Sequence, residues 1–352
     1  MIYYMGLIGF IVVGGMIFQT RKPYLKSNKW VYSFFTTMYL IILSGLRHRM
    51  IGADTRHYMD NFDFIVREYT WQDLWDMLKT SIVENSYDIR DVGYTIFVKT
   101  SQLFIPNSRY YLIFIAILIM VPMGWWIRTK SSNQMLSYIV FTCQFFPFYG
   151  LTGIRQILAL ILVSLFGYEL ILRRKFLPFL LLILLAMLFH KTAIIMLPFY
   201  FVYNIKLKKI YWYIALLGVC GGFIFRNSIA AVLNKIGGYS YEAYAGAGTY
   251  VFTVLIFGIL LLCFLYYDRL TLSRPDTVHY INAVVIGSLL LPMSYYNPTF
   301  LRLGYYYFIY LILLIPEFVI AFKEKVLFKL LISAVLFLGF VKNVEPYRFF
   351  DI

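Results

Sequence analysis

The chain has 352 residues, of which 61% are hydrophobic and only 14% are charged. Soluble domains average about 45–50% apolar and about 25% charged residues, so the composition excludes a soluble fold and indicates a single membrane domain over residues 1–352. The net charge of +15 comes from basic residues spread over many loops, which is typical of membrane topology and argues against a nucleic-acid partner.

The predicted elements are helices throughout. Twelve apolar runs predict an all-α, polytopic integral membrane bundle of about twelve transmembrane helices in the lipid bilayer. Two of the runs are short for a hydrocarbon core of roughly 30 Å, and short helices in a bundle usually line a cavity. We therefore expect a depression where they meet, at His190 and Lys191. In chain order the runs cover residues 2–18, 31–46, 110–127, 135–149, 154–172, 176–189, 192–203, 211–225, 250–267, 279–293, 303–322 and 326–341.

The distribution of basic residues predicts the orientation of these helices. Alternate connections, beginning with the one after the first run, carry seventeen lysines and arginines, whereas the opposite connections outside one long loop carry seven. Because positive charge is enriched in cytoplasmic loops, this pattern places both termini outside and makes residues 47–109 a long external loop.

That external loop is predicted to contain interfacial helices. Its residues 92–105 are apolar but include Lys99 and Gln102, which indicates an interfacial or re-entrant segment. Earlier in the loop, large apolar residues recur at helical spacing and form one face suited to the headgroup region. These residues are Trp71, Leu74, Trp75 and Leu78.

Charged residues at the ends of apolar runs are the informative ones in a membrane protein, and the first such segment covers residues 45–58. Its arginines are rigid forks of donors that suit phosphate oxygens, so Arg47 and Arg49, with Tyr58, are predicted to bind substrate. Asp54 is a carboxylate able to accept a proton from a sugar hydroxyl. The structural alternative is a charged helix end in which Asp54 pairs with one of the arginines.

The second polar segment, residues 150–156, joins the fourth and fifth runs. Two glycines allow a tight turn, after which Arg155 and Gln156 lie on the first turn of a helix, whose free N–H groups favour an anion. The structural alternative is an ordinary hairpin with one arginine at the membrane boundary.

The third and fourth segments, like the first two, are predicted to lie on the external side. The third is His190 with Lys191, although a lone histidine in an apolar context is more often a packing residue. The fourth covers residues 295–307 and places Arg302 and Tyr306 four residues apart on one helix face, which suits a sugar–phosphate ligand. Its structural alternative is an aromatic belt at the membrane surface.

Other charged residues are predicted to be structural. Glu169 precedes Arg173 by four residues, which predicts an ion pair along one helix. The sequence contains no glycine-rich nucleotide loop, no metal-ligand spacing and no hydrolase nucleophile elbow, so no metal and no cofactor are predicted.

In their order and spacing, the four segments resemble the EpsG family of Wzy-type bacterial exopolysaccharide and capsular polysaccharide polymerases. The resemblance runs from the second to the eleventh apolar run. It is carried by Gly45-x-Arg47, Gly52-x-Asp54-x-x-x-Tyr58, Gly153-x-Arg155-Gln156 with Ala159, His190 with Ala193, and Arg302 with Tyr306.

The resemblance implies polymerisation of oligosaccharide repeat units linked to undecaprenyl diphosphate, on the outer face of the bacterial cytoplasmic membrane. Donor and acceptor would both be lipid-linked oligosaccharides, with a flippase and a chain-length regulator as further partners. A polysaccharide ligase, and a flippase without enzymatic activity, are the alternatives. A flippase would carry charges near the membrane midplane and on both sides of it, whereas the polar segments here cluster on one side.

On this basis His190, Asp54 and Arg155 are the predicted catalytic residues. His190 is expected to contact the acceptor sugar, and Asp54 to organise the arginines. The predicted substrate-binding residues are Arg47, Arg49, Tyr58, Gln156, Lys191, Arg302 and Tyr306.

Overall fold

The computed structural model describes residues 2–20, 26–83, 91–237, 242–244, 249–322 and 346–349. Within these residues the chain is helical and forms no β-strand, apart from one isolated bridge between Arg47 and Phe349. The predicted all-α class is therefore confirmed. One cluster of buried apolar side chains extends through most of the described helices.

Most of the predicted apolar runs fall on helices, although several are divided. The 3-10 segments are Lys191–Met196, Leu291–Tyr295 and Pro298–Phe300, and the π-helical segments are Asn61–Ile65, Phe141–Phe145 and Ile161–Phe166. The α-helices are α1 (Ile2–Thr20), α2 (Lys26–Gly45), α3 (Thr55–Asp60), α4 (Val66–Glu68), α5 (Trp71–Val83), α6 (Val92–Ser101), α7 (Ser108–Lys130), α8 (Gln134–Val140), α9 (Phe146–Tyr149), α10 (Ile154–Leu160), α11 (Gly167–Leu172), α12 (Phe176–Phe189), α13 (Phe199–Val202), α14 (Lys209–Ile224), α15 (Arg226–Gly237), α16 (Tyr250–Leu265), α17 (Tyr267–Ser273), α18 (Thr277–Leu290), α19 (Leu301–Phe308) and α20 (Leu311–Ala321).

Fewer helices than predicted are long enough to cross a membrane. In the described residues three helices have the length and composition for it, Ser108–Lys130, Ile154–Leu172 and Thr277–Tyr295, and three bent helix pairs raise the number to six. The predicted count of about twelve is therefore not confirmed, and the predicted run 326–341 lies outside the described residues. The difference arises because other predicted runs fall on helices too short for a crossing, among them Phe176–Phe189 and Lys191–Val202. The bent pairs, whose helices meet at 81°, 80° and 57°, each count as one crossing.

The helices α2 and α7 pack closely against each other, and α2 ends where the first polar segment begins. A Cβ on Gly45 would lie 3.0 Å from the Cα of Ile113, and one on Gly124 would lie 2.2 Å from Oγ1 of Thr37. Small residues at such contacts let membrane helices approach closely. The Tyr138 hydroxyl then bonds Oγ1 of Thr37 at 3.0 Å, which connects α8 to α2.

Partly buried ion pairs join four parts of the chain around Lys130, the last residue of α7. Glu317 is fully buried, and its Oε1 lies 3.0 Å from Nη1 of Arg274, whose Nη2 donates to the carbonyl oxygen of Lys130 at 2.7 Å. Nζ of Lys130 in turn lies 2.5 Å from Oε1 of Glu169. The predicted pairing of Glu169 with Arg173 is therefore wrong, because the carboxylate turns toward a neighbouring helix instead.

The segment predicted as a long loop, residues 47–109, is mostly helical where the structure describes it. In α5 the side chain of Leu74 is buried, whereas Trp71 and Trp75 are exposed, as an interfacial helix requires. The ten residues of α6 span about 15 Å, which is half of a hydrocarbon core. Its length therefore agrees with an interfacial or re-entrant helix, and the external location of the segment remains a prediction.

Candidate functional site

The first and second predicted segments are packed against each other. Gly52 has a positive φ of 84°, and a Cβ at this position would lie only 2.0 Å from the carbonyl oxygen of Leu151. Oγ1 of Thr55 donates to the same oxygen at 2.8 Å, and Oγ of Ser44 donates to the carbonyl oxygen of Gly150 at 2.5 Å. The glycine in the first segment is thus required by the close approach of the second.

Arg47 is buried between these two segments. Its residue is 1% exposed, Nε donates to Oγ1 of Thr55 at 3.1 Å, and Nη1 donates to the carbonyl oxygen of Ser44. Nη2 is buried without a hydrogen-bond partner among the described residues, and burial lowers the pKa of the guanidinium group. The predicted direct contact of Arg47 with a bulky diphosphate does not fit this geometry, because its guanidinium group is closed off by its own loop.

Asp54 does not hold the arginines of its segment. Nη2 of Arg49 lies 3.0 Å from Oδ1 of Asp60, and Nε of Arg56 lies 3.6 Å from Oδ2 of the same carboxylate. Asp54 is half-buried and forms no salt bridge within the described ranges. The expectation that Asp54 organises the arginines is therefore wrong, since Asp60 lies one helical turn and a half further on and reaches both side chains.

Arg155 contacts a carboxylate that lies far away in the sequence. Its Nη1 is 2.7 Å from Oδ2 of Asp91, and the nearby Tyr58 side chain acts on it electrostatically. Tyr58 is 3% exposed, its ring lies edge-on to Tyr94 at 5.8 Å, and burial raises the pKa of its hydroxyl. Tyr58 is thus buried, whereas the Arg155 side chain remains 37% exposed.

His190 lies at the break after α12, where the backbone is extended. Its Nδ1 is 2.5 Å from Oγ1 of Thr192, and that hydroxyl donates to the hydroxyl of Tyr306 at 3.2 Å. Burial lowers the pKa of His190, and the nearby guanidinium groups of Arg155 and Arg302 lower it further. The imidazole is therefore neutral around pH 7 and able to accept a proton.

Arg302 completes the surroundings of His190. Nε2 of Gln156 donates to the carbonyl oxygen of Arg302 at 2.6 Å, and the guanidinium carbon lies 4.9 Å from the centre of the Phe148 ring. The side chain is half-buried, and within the described residues its nitrogens form neither a hydrogen bond nor a salt bridge. A half-buried guanidinium group whose donors are unused is suited to an anion. Lys191, also half-buried, adds a second cation next to His190.

The structure thus brings all four predicted segments together. Residues 45–58 contact residues 150–156 through Gly52, and residues 150–156 contact residues 295–307 through Gln156. Residues 295–307 contact residues 190–192 through Tyr306, which is fully buried and so supports this network rather than facing a ligand.

Two residues at this site were not singled out by the sequence analysis. Asp91 directly precedes the apolar residues 92–105 of the long loop. A search of this loop for charged residues at the ends of apolar stretches would have found it. Thr192 has no such signal, because only the contact with His190 identifies it.

Among the described residues, no three His, Cys, Asp or Glu side chains are arranged to hold a metal ion. An apolar groove of about 230 Å³, with Trp212, Leu216 and Phe264 among its lining residues, shares no lining residue with the cluster around His190.

Comparison with known proteins gives one match. The model of the EpsG family matches residues 30–348, a range that includes all four polar segments. No curated protein and no solved structure matches the chain.

Proposed function

The chain belongs to the EpsG family, and from this premise we propose that it is a Wzy-type polymerase of lipid-linked oligosaccharide repeat units. Membership of this family points to polysaccharide biosynthesis, and the apolar helices fit a multi-pass membrane protein. The growing glycan on undecaprenyl diphosphate is the donor, and a single lipid-linked repeat unit is the acceptor. The reaction takes place on the outer face of the bacterial cytoplasmic membrane.

One arrangement carries this proposal. His190 bonds Thr192, which bonds Tyr306 on the helix that carries Arg302. Arg155 and Arg302 both act electrostatically on His190. Glycosyl transfer from a lipid diphosphate needs a base at the attacking hydroxyl and positive charge at the leaving group. The cluster provides both on neighbouring side chains.

In the proposed reaction a hydroxyl oxygen of the acceptor's terminal sugar attacks the anomeric carbon of the donor glycan. The bond from that carbon to the diphosphate oxygen breaks, and the diphosphate leaves with the electron pair. The hydroxyl proton passes to His190. Arg302 and Arg155 stabilise the charge that develops on the diphosphate, and Lys191 adds a further contact.

Thr192 selects the tautomer of His190 that this reaction needs. Its hydroxyl donates its only hydrogen to Tyr306, so it accepts a hydrogen bond from Nδ1–H of His190. The other ring nitrogen, Nε2, then carries the lone pair and is the proton acceptor. Tyr306 and Thr192 therefore act through His190, while Gln156 orients the backbone of Arg302.

The test compares two arginine variants in vesicles supplied with lipid-linked repeat units. Arg302→Lys keeps the charge but loses the fork of donors, and we expect polymer formation to fall about 100-fold, the loss typical of removing one transition-state donor. Arg56→Lys is the matched control, because Arg56 is exposed and pairs only weakly, at 3.6 Å from Asp60. This control should polymerise at the wild-type rate.

A polymerase, a flippase and a ligase would give different results in a strain that lacks the protein. Loss of a polymerase leaves single repeat units on the outer leaflet, whereas loss of a flippase leaves them on the inner leaflet. Loss of a ligase leaves finished polymer on the lipid. Wild-type polymer length in the deletion strain, or in folded Arg302→Lys protein, would contradict the proposed function.

A further inference from the structure

The carboxylate of Asp91 is the partner of Arg155 at the candidate site. Oδ2 of Asp91 lies 2.7 Å from Nη1 of Arg155, and the Asp91 side chain is 9% exposed, whereas that of Arg155 is 37% exposed. The pair is therefore covered on the side of the carboxylate and open on the side of the guanidinium group. An arginine has five N–H donors, so those not bonded to Asp91 remain for a ligand.

The backbone places Asp91 at this position at some cost. Asp91 has a left-handed conformation with φ 55° and ψ 41°, which is uncommon outside glycine although aspartate adopts it more often than most residues. Its carbonyl oxygen accepts hydrogen bonds from the backbone N–H groups of Tyr94 at 2.8 Å and Thr95 at 3.3 Å, so it begins α6. A residue held in a sparsely populated conformation is typical of functional sites.

Gly93 fixes the start of α6 against the end of α12. A Cβ on Gly93 would lie 2.4 Å from Cβ of Leu188 and 2.8 Å from its carbonyl oxygen. Leu188 precedes His190 by two residues, so the same contact that locates Asp91 also locates the end of α12 next to His190. The Arg155 pair and the histidine are thus held by one rigid contact.

We propose that Asp91 is a positioning residue that orients the guanidinium group of Arg155 toward the leaving diphosphate. This proposal rests on the proposed function. Because Asp91 offsets the positive charge of Arg155, it weakens the attraction for a diphosphate that is already bound as product. Its benefit is confined to the transition state, where an oriented donor stabilises charge without reorganisation. Removing its charge therefore has opposite effects on binding and on turnover.

The test uses Asp91→Asn, which keeps the size of the side chain and one acceptor but removes the charge. Turnover of lipid-linked repeat units is measured in vesicles, and binding of farnesyl diphosphate, a short polyprenyl diphosphate, is measured in detergent. We expect kcat to fall at least tenfold, while farnesyl diphosphate binds as tightly as to wild type or several-fold more tightly. Asp91→Glu restores the charge and should recover part of kcat.

Asp76→Asn is the control, because Asp76 also pairs with a basic residue, at 3.6 Å from Lys79, but on the exposed helix α5 and outside the cluster. It should leave both quantities unchanged. Wild-type kcat in Asp91→Asn would overturn the proposal. So would a loss of kcat matched by weaker diphosphate binding and less folded protein, which is the result of a purely structural role. Failure of the proposed function is recognised separately, because wild-type protein would then make no polymer.

Discussion

At the scale of single residues, the charge state of His190 determines when it can act as a base. A histidine in water has a pKa near 6.5. Burial, followed by the guanidinium groups of Arg155 and Arg302, lowers the pKa of His190 below that value. The neutral imidazole therefore persists into acidic solution, where an ordinary histidine would already be protonated.

This shift predicts a polymerisation rate that stays level as the pH falls from 7.5 through 6.5. Initial rates in vesicles between pH 5 and 8 measure it. In Arg302→Gln one of the two cations is absent, so the pKa of His190 should rise and the acidic limb of the residual activity should move to higher pH. A wild-type rate that halves near pH 6.5 would show that His190 is not the base or is not shielded.

The low pKa of His190 also makes the stability of the folded protein depend on pH. Because the pKa of His190 is lower in the folded than in the unfolded protein, its contribution is fully present above about pH 6.5 and decreases as the pH falls below that value. His190→Gln removes this titration and is a suitable reference for thermal unfolding at pH 7.5 and 5.5.

At the scale of elements, the turn at Gly52 aligns the segment that contains Arg47 and Tyr58 with the turn before α10. The positive φ of Gly52 and its contact with the Leu151 carbonyl group leave no space for a side chain. Arg47 contributes to the same contact, because it bonds Thr55, which in turn bonds Leu151.

Gly52→Ala is therefore expected to destabilise the protein by about 1–3 kcal/mol and to lower polymer formation, since the turn packs against the segment that carries Arg155. Thermal unfolding in detergent and polymer assays measure the two effects. Gly221→Ala is the matched control, because a Cβ at this helical glycine meets no atom within 4 Å and alanine favours a helix. Equal unfolding temperatures for the two variants would contradict the assigned role of the turn.

At the scale of the whole molecule, the orientation in the membrane decides whether the cluster faces lipid-linked units on the outer surface. Lys79 lies in the segment predicted to be external and its side chain is 59% exposed, whereas Lys208 is exposed in a connection predicted to be cytoplasmic. These two positions test the positive-inside assignment directly.

Single cysteines at Lys79 and Lys208, in a background without the three native cysteines, should differ in their reaction with an impermeant maleimide. Lys79→Cys is expected to react in intact cells, and Lys208→Cys only after lysis. The reverse result would place the cluster around His190 on the cytoplasmic side and would contradict the outward-facing reaction.

The sequence by itself determined the helical class, the positions of most helices and the four polar segments of the site. These features depend on local properties: the length of an apolar run, the spacing of side chains along a helix and the presence of charge at its end. For this reason His190, Arg155 and Arg302 could be proposed as site residues before any contact was known.

Only the tertiary structure decided which of these residues remain open to a ligand. Arg47 and Tyr306 are buried, Arg155 pairs with Asp91, and several apolar runs form helices too short for a crossing. Burial and pairing depend on contacts between residues far apart in the chain, as between positions 91 and 155. A single sequence contains no local pattern for such contacts, because the same charged side chain fits an exposed helix end and a buried pair equally well.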